Sequence, residues 1–278
     1  MKTKAEMASQ PDERLDGGVR SVQVALDVLE AVAFSDEESG VTQIAERLGL
    51  TKGSVHRHLL TLVERGYLVQ NPVTTRYARG PRSRLLAHYA PEADLIQLAS
   101  GPMRELRDLL GHSVVLSESS PRGALVSSMV VGTAAIEIGV RPGSELQFHS
   151  SGQGKVLLAF ATPAMRERIL AKPLPAFTAH TVTDRASVEA ELTRVASEGF
   201  ATAPEQAMLG INAVAAPIFD GKDACIGALA LVGSIQFLPS EPDLKSVAAL
   251  KAAAAQISRR LGHGTRNSDL RTARQRTA

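Results

Sequence analysis

A single cysteine, Cys225, is all the chain contains, so neither an internal disulfide nor a cysteine zinc cluster can form. It lies in the apolar run ACIGALALVG, where a small buried hydrophobe is the expected role. No stretch approaches the roughly 18 uninterrupted apolar residues of a membrane span. The polar opening MKTKAEMASQPDERLDGG lacks the apolar block of a secretory signal, so the expectation is a cytoplasmic protein with no membrane partner. Net charge is only +2, too little for overall charge to advertise nucleic-acid binding. Internal repeats and low-complexity tracts are missing. Catalytic motifs are missing too: SSGQGKVLLAF fails as a phosphate loop, because His149 stands where glycine is required and Val156 where Ser or Thr is required. There is no G-x-S-x-G elbow and no close histidine–carboxylate spacing suited to a metal. His149, His180 and Glu205 are scattered polar residues, read more readily as surface or capping groups than as a catalytic site, so no enzyme, metal or cofactor is predicted.

At 278 residues, 44% of them hydrophobic, the chain is long enough for two domains with proper cores. Residues 1–18 carry few large apolar groups and are expected to be a disordered arm. An amphipathic helix is predicted over Val19–Val32, with Val22, Leu26 and Leu29 on one face. SDEESG ends it. A second helix is expected to start near Thr42, capped by that hydroxyl, and to run to Gly49. Thr51 caps a third, in which Val55, Leu59, Leu62 and Val63 form one stripe and Gly53, Ser54, Arg57, Thr61 and Glu64 lie opposite. YLVQ and TRYA around NPVTT then read as a two-stranded wing.

Charge is concentrated where this pattern falls. From Lys52 to Arg84 the chain carries seven Lys/Arg against one acid, Glu64, and Arg259–Ala278 forms a second basic segment. A basic stretch that coincides with a helix-turn-helix pattern is an electrostatic footprint for phosphate. The first turn of the third helix offers Lys52, Ser54, His56 and Arg57 as donors to phosphates and major-groove base edges, while the opposite stripe is apolar. Wing residues Arg76 and Arg79 are placed to reach neighbouring backbone or the minor groove. The rival reading is a small packing module that assembles without DNA.

The runs VRSVQVALDVLEAV, GVTQIAERLGLTKGSVHRHLLTLVERGYL and RYARG together resemble the DNA-binding domain of the IclR (isocitrate lyase regulator) family, over residues 19–80. The resemblance implies a double-stranded DNA operator as partner, with Thr42, Thr51, Lys52, Gly53, Ser54, His56, Arg57 and Arg76 as contact residues. His56 and Arg57 match the family's His-Arg pair. Gly53 departs from it, standing where the family usually has Ser or Thr, which removes a hydroxyl and weakens the helix by about 0.5–1 kcal/mol relative to Ala.

Beyond a linker helix over Pro81–Pro91, the pattern predicts a helix at Glu92–Leu110, then strands at Ser113–Ser119, Ala124–Val131 and Ala135–Val140. Helices follow near Gln153–Phe160, Pro163–Ala171 and Arg185–Glu198. Strands Ile211–Phe219 and Ala224–Val232 flank the hairpin turn DGKD, and a last helix spans Glu241–Leu261. This is an α+β fold: a winged helix-turn-helix (19–80), a linker (81–96), a mainly antiparallel-sheet domain (97–262) and a basic flexible tail (263–278). In the second half, Gly152, Gln153 and Gly154 permit close backbone approach, and the NH groups opening the next helix can hold an electron-rich group; a plain tight turn is the alternative.

HSSGQGKVLLA and GFATAPEQAMLGINAVAAPIFD also resemble that family, which implies a GAF-like domain binding a small-molecule effector and assembly as a homodimer or homotetramer. Carried over residue by residue, the NH groups of Gly152 and Gln153 face the effector, Ala135, Ile138, Ile211, Ala213, Ala230 and Val232 line its pocket, and Ala203 lies nearby. Family members that bind small keto acids carry polar groups, an Asp and two Ser among them, at positions matching Ala203, Ala213, Ala230 and Val232. This chain has none, and burying a tiny polar acid without hydrogen bonds costs several kcal/mol. A larger, mostly apolar effector is expected, such as an aromatic acid or amide, unless side chains fill the pocket altogether.

Overall fold

The computed structural model describes residues 18–35, 37–88, 95–134 and 138–264. Apart from Gly18, His263 and Gly264, the expected N-terminal arm and basic tail lie outside the described residues, as do the end of the expected linker helix and Ala135 with the start of its strand. The chain divides into two compact units, residues 1–91 and 92–278.

The first unit contains α1 (Arg20–Ala33), α2 (Val41–Leu48), α3 (Lys52–Glu64), β1 (Leu68–Gln70), β2 (Tyr77–Arg79) and α4 (Pro81–His88). Its core takes Val28, Ala31 and Val32 from α1, Ile44 and Ala45 from α2, Val55, Leu59 and Leu62 from α3, and Leu68 and Tyr77 from the hairpin. The stripe predicted for α3 is thus the buried one. That predicted for α1 is not: Val22 and Leu26 are 54% and 50% exposed, and Leu29 is only partly buried. Helix α1 has a second apolar face, Val24, Val28, Ala31 and Val32, at spacings of four, three and one. Periodicity alone does not say which of two stripes meets the core. The start of α2 also differs from expectation. Gly40, not Thr42, is its N-cap, and the Gln43 side chain folds back to accept from the Gly40 NH at 3.1 Å. Thr42 is instead an exposed residue of the first turn. Thr51 caps α3 as expected, its hydroxyl accepting from the Ser54 NH at 3.3 Å.

The second unit contains α5 (Leu95–Leu110), β3 (Ser113–Ser119), β4 (Ala124–Val130), β5 (Glu145–Leu146), α6 (Gly152–Ala159), α7 (Pro163–Leu170), α8 (Arg185–Glu198), β6 (Ala201–Thr202), β7 (Ile211–Phe219), β8 (Cys225–Ser234) and α9 (Leu244–Arg260). The strands form one antiparallel sheet in the order β5-β4-β3-β8-β7-β6. The strand expected at Ala135–Val140 is not formed by Ile138, Gly139 or Val140; β4 takes Glu145–Leu146 as its edge partner instead. Apolar character alone does not commit a segment to a strand.

Alternation along the strands sorts side chains by size. Facing α5 and α9 are Val114, Leu116, Val214, Ile218, Leu229 and Leu231. Facing α6 and α8 are Val115, Ala215, Ala228, Ala230 and Val232. The second face is a floor of methyl groups, and α6 lies close upon it. A Cβ on Gly152 would stand 2.9 Å from the Ala213 carbonyl oxygen, and one on Gly154 would overlap the Gln147 carbonyl and stand 2.6 Å from the Phe148 Cα. Since backbone surrounds Gly154, Gly154→Ala should destabilise the protein by about 1–3 kcal/mol in urea unfolding, as overpacking does.

Candidate functional site

Helix α3 presents Lys52, Gly53, His56 and Arg57 to solvent, with Ser54 half-buried, while Val55, Leu59 and Leu62 lie in the core. A Cβ at Gly53 would meet nothing within 4 Å, so glycine is not required there by packing. The basic first turn is therefore a free edge of a helix locked in place from behind.

The wing is tied down by a residue that sequence reasoning missed. Glu38 accepts from Asn71 Nδ2 at 2.8 Å and from the Thr74 hydroxyl at 2.7 Å. These bonds, with the nearby Arg76 charge, hold its carboxyl below the usual range. Arg76 donates from Nη1 to the Glu38 carbonyl (3.1 Å) and to Gln43 Oε1 (3.2 Å). Ser39 and Tyr77 exchange backbone hydrogen bonds of 2.9 Å, an isolated antiparallel bridge that fastens the loop before α2 to the edge of the hairpin. One of Arg76's nitrogens is thus spent on fastening the wing to the start of α2, whereas Arg79 is exposed on β2. The signal for Glu38 lay more than thirty residues from its partners, which no local motif spans.

In the second unit the structure brings together most of the residues named for an effector. Gly152 packs on Ala213; Ala213 pairs with Val232 across β7–β8, and Ala215 with Ala230. Ala203 NH donates to the Ala213 carbonyl at 3.0 Å, and Glu205 NH to that of Ile211 at 2.7 Å. Val232 and Ile138 also line a cavity of about 440 Å³ walled by Leu110, His112, Ser113 and Phe237. Gly152, Gln153, Ala203, Ile211, Ala213 and Ala230 are not part of that wall. Burial holds His112 below the ordinary histidine range, opposed by the nearby Asp243 charge.

Lys155 of the glycine–lysine pair and the scattered His149, His180 and Glu205 all have partners within the second unit. Lys155 is buried, with its ammonium 2.8 Å from Glu191 and 3.1 Å from the Thr202 carbonyl. Burial lowers its pKa and the Glu191 charge opposes that shift. His149 Nε2 lies 2.9 Å from the Pro175 carbonyl, which can only accept, so that nitrogen carries the proton. His180 and Glu205 stand 3.7 Å apart at the surface, and Glu205 Oε1 accepts from the Gly210 NH at 2.8 Å to hold its own loop. Among the described residues no group of three or more His, Cys, Asp or Glu could hold a metal, and no helix is long and apolar enough to cross a membrane. Burial pushes the Cys225 thiol up to about 12, which disfavours the thiolate at neutral pH.

A winged helix-turn-helix with a basic helix edge, followed by a separate α+β unit, is the arrangement of a DNA-binding regulator. Family models agree: residues 21–72 match the IclR helix-turn-helix domain, and residues 87–259 match the bacterial transcriptional regulator IclR C-terminal domain. The chain belongs to the IclR family, whose members are transcription regulators and not enzymes. It is 32% identical to the HTH-type transcriptional regulator BhcR of Paracoccus denitrificans over 73% of this chain and 74% of that protein. It is 31% identical to the glycerol operon regulatory protein of Streptomyces coelicolor over 88% and 98%. An IclR homologue from Microbacterium hydrocarbonoxydans, crystallised with 4-hydroxybenzoate, superimposes with a TM-score of 0.72 at 26% identity, covering 87% of this chain and 98% of that one.

The buried histidine gives a pH prediction. Burial holds the pKa of His149 below the 6.5 of an exposed imidazole, so its contribution to stability is complete above pH 6.5 and is lost as pH falls through the folded value. Urea unfolding at pH 7.5 and 5.5 should show a smaller loss of stability on acidification in His149→Gln than in the parent; an equal loss would remove His149 from the account.

Proposed function

We propose that this protein represses a catabolic operon and that a small, mostly apolar organic effector, such as an aromatic acid or amide, modulates its affinity for the operator. The observation that carries the DNA half is α3: its apolar side is fixed in the core, so Lys52, Ser54, His56 and Arg57 are held ready to enter a major groove. Thr42 and Thr51, at the openings of α2 and α3, serve the flanking phosphates. Two copies occupy successive half-sites. The exposed Val22 and Leu26 of α1, with Leu85 and Leu86 of α4, supply apolar surface for that dimer.

The methyl floor beneath α6 supports the effector half. It offers apolar contact, while the NH groups of Gly152 and Gln153 open the helix and suit one electron-rich group. The 4-hydroxybenzoate held by the Microbacterium homologue is an aromatic acid of this kind. An effector changes operator affinity only through its differential affinity for the DNA-competent and incompetent arrangements, so release on binding requires it to prefer the latter.

Binding of the full chain to its own upstream region, measured by gel shift at two salt concentrations, tests the first half. Arg57→Ala should weaken binding by about 1–3 kcal/mol if Arg57 reads a base, or reduce the salt slope by about one if it contacts phosphate. No change in either sinks the contact assignment. For the second half, the double substitution Ala230→Ser with Val232→Ser should improve binding of small keto acids, each new hydrogen bond contributing about 0.5–1.5 kcal/mol; unchanged affinity would discredit the pocket.

A further inference from the structure

Gln153 is 1% exposed, and neither Nε2 nor Oε1 of its amide has a hydrogen-bond partner among the described residues. Its neighbours fare differently. In the same turn Ser151 Oγ accepts from the Gly154 NH at 3.0 Å and donates to the Gln147 carbonyl at 2.7 Å. Asn212, also buried, donates from Nδ2 to the Leu238 and Pro239 carbonyls and leaves only its oxygen unmet. A side-chain amide buried with both ends unmet is costly and calls for a group that can meet it.

Direction and surroundings point to the same place. Cα–Cβ bonds in a helix tilt toward its N-terminus, so the Gln153 side chain sets out toward the opening of α6, where the NH groups are not needed by the helical ladder. The sheet below offers methyl groups at Ala213, Ala215 and Ala230, none of which can satisfy an amide. The one cation on α6, Lys155, is engaged by Glu191 and the Thr202 carbonyl.

We propose that the Gln153 side chain selects the polar end of the effector, and that it selects an uncharged donor–acceptor pair, a primary carboxamide or lactam, over a carboxylate. The proposal rests on the reading of the α6 N-terminus as the effector site. A carboxamide oxygen accepts from Nε2–H and the first-turn NH groups, while its own N–H donates to Oε1, so both ends of Gln153 are met. A carboxylate can only accept. It would satisfy Nε2, leave Oε1 unmet and bring in a charge that the α6 cation, Lys155, already engaged by Glu191, is not free to balance.

The test is calorimetric titration of the full-length protein with benzamide and benzoate, which share a ring and differ at the group in question. The parent should bind benzamide about tenfold more tightly than benzoate, and Gln153→Met, which keeps the length of the side chain, should lose that preference. Equal or tighter binding of benzoate by the parent overturns the proposal, as does a preference that survives in Gln153→Met or failure of the parent to bind either compound. Ala213→Leu, which raises the floor beneath α6 and is used only where circular dichroism and urea unfolding match the parent, separates the two levels; Ala213→Val replaces it where they do not. If it weakens benzoate binding while the parent shows no preference for benzamide, the site stands and the amide selection falls. If it leaves both ligands bound as in the parent, the site itself is wrong. Should Gln153→Met fail to fold, as read by circular dichroism, the benzamide-to-benzoate ratio of the parent still decides.

Discussion

Helix α6 can lie on the central sheet only because Gly152 on the helix and a run of alanines on the strands leave the backbones room to meet, while Gly154 makes room for the Gln147–Phe148 backbone that leads into the helix. Much of the second unit is organised by that contact. The loop 203–211 hydrogen-bonds to β7 beside it, and Lys155, turned the other way, joins α6 to α8 and β6 through Glu191 and Thr202. Larger residues on the opposite face, among them Leu116, Leu229 and Leu231, fill the thicker layer under α5 and α9. The sheet is therefore asymmetric by design of volume: one side is an ordinary core and the other is a close-packed seam ending at a helix terminus.

The first unit solves a different problem, that of holding a polar surface still. Helix α3 does so with three buried aliphatic side chains, and the wing does so with a single carboxylate. Glu38 gathers Asn71 and Thr74, and its carbonyl, with Gln43, receives Arg76. The hairpin by itself has three paired residues on each strand, too little for an independent structure. The clasp from the loop before α2 couples the orientation of the wing to that of the helices.

What could be read from the chain follows the range of the interactions involved. The stripe Val55, Leu59, Leu62 and the cap Thr51 are local, and periodicity with one hydroxyl locates the start of α3 to the residue. The hairpin turn after Phe219 is local as well: Asp220 accepts from the backbone NH groups of Lys222 and Ala224. Helix α1 misled because its sequence carries two apolar stripes and only tertiary packing chooses between them. The two-residue strands β5 and β6 carry no pattern of their own and exist because a longer neighbour offers an edge. Gln153 was named for its backbone NH, a consequence of its place at a helix start. The unmet side-chain amide is visible only once burial and the absence of polar neighbours are known.

The alanine floor also constrains how this protein can diverge. A change from methyl to hydroxymethyl alters polarity with little added volume, so chemistry at the seam can drift in single steps while the helix above stays put. Any bulkier replacement must displace α6 and with it the loop and ion pair that depend on its position. Descendants of this chain therefore have easy access to new polar specificities and poor access to new shapes at the same spot, since the first kind of change leaves the scaffold intact and the second does not.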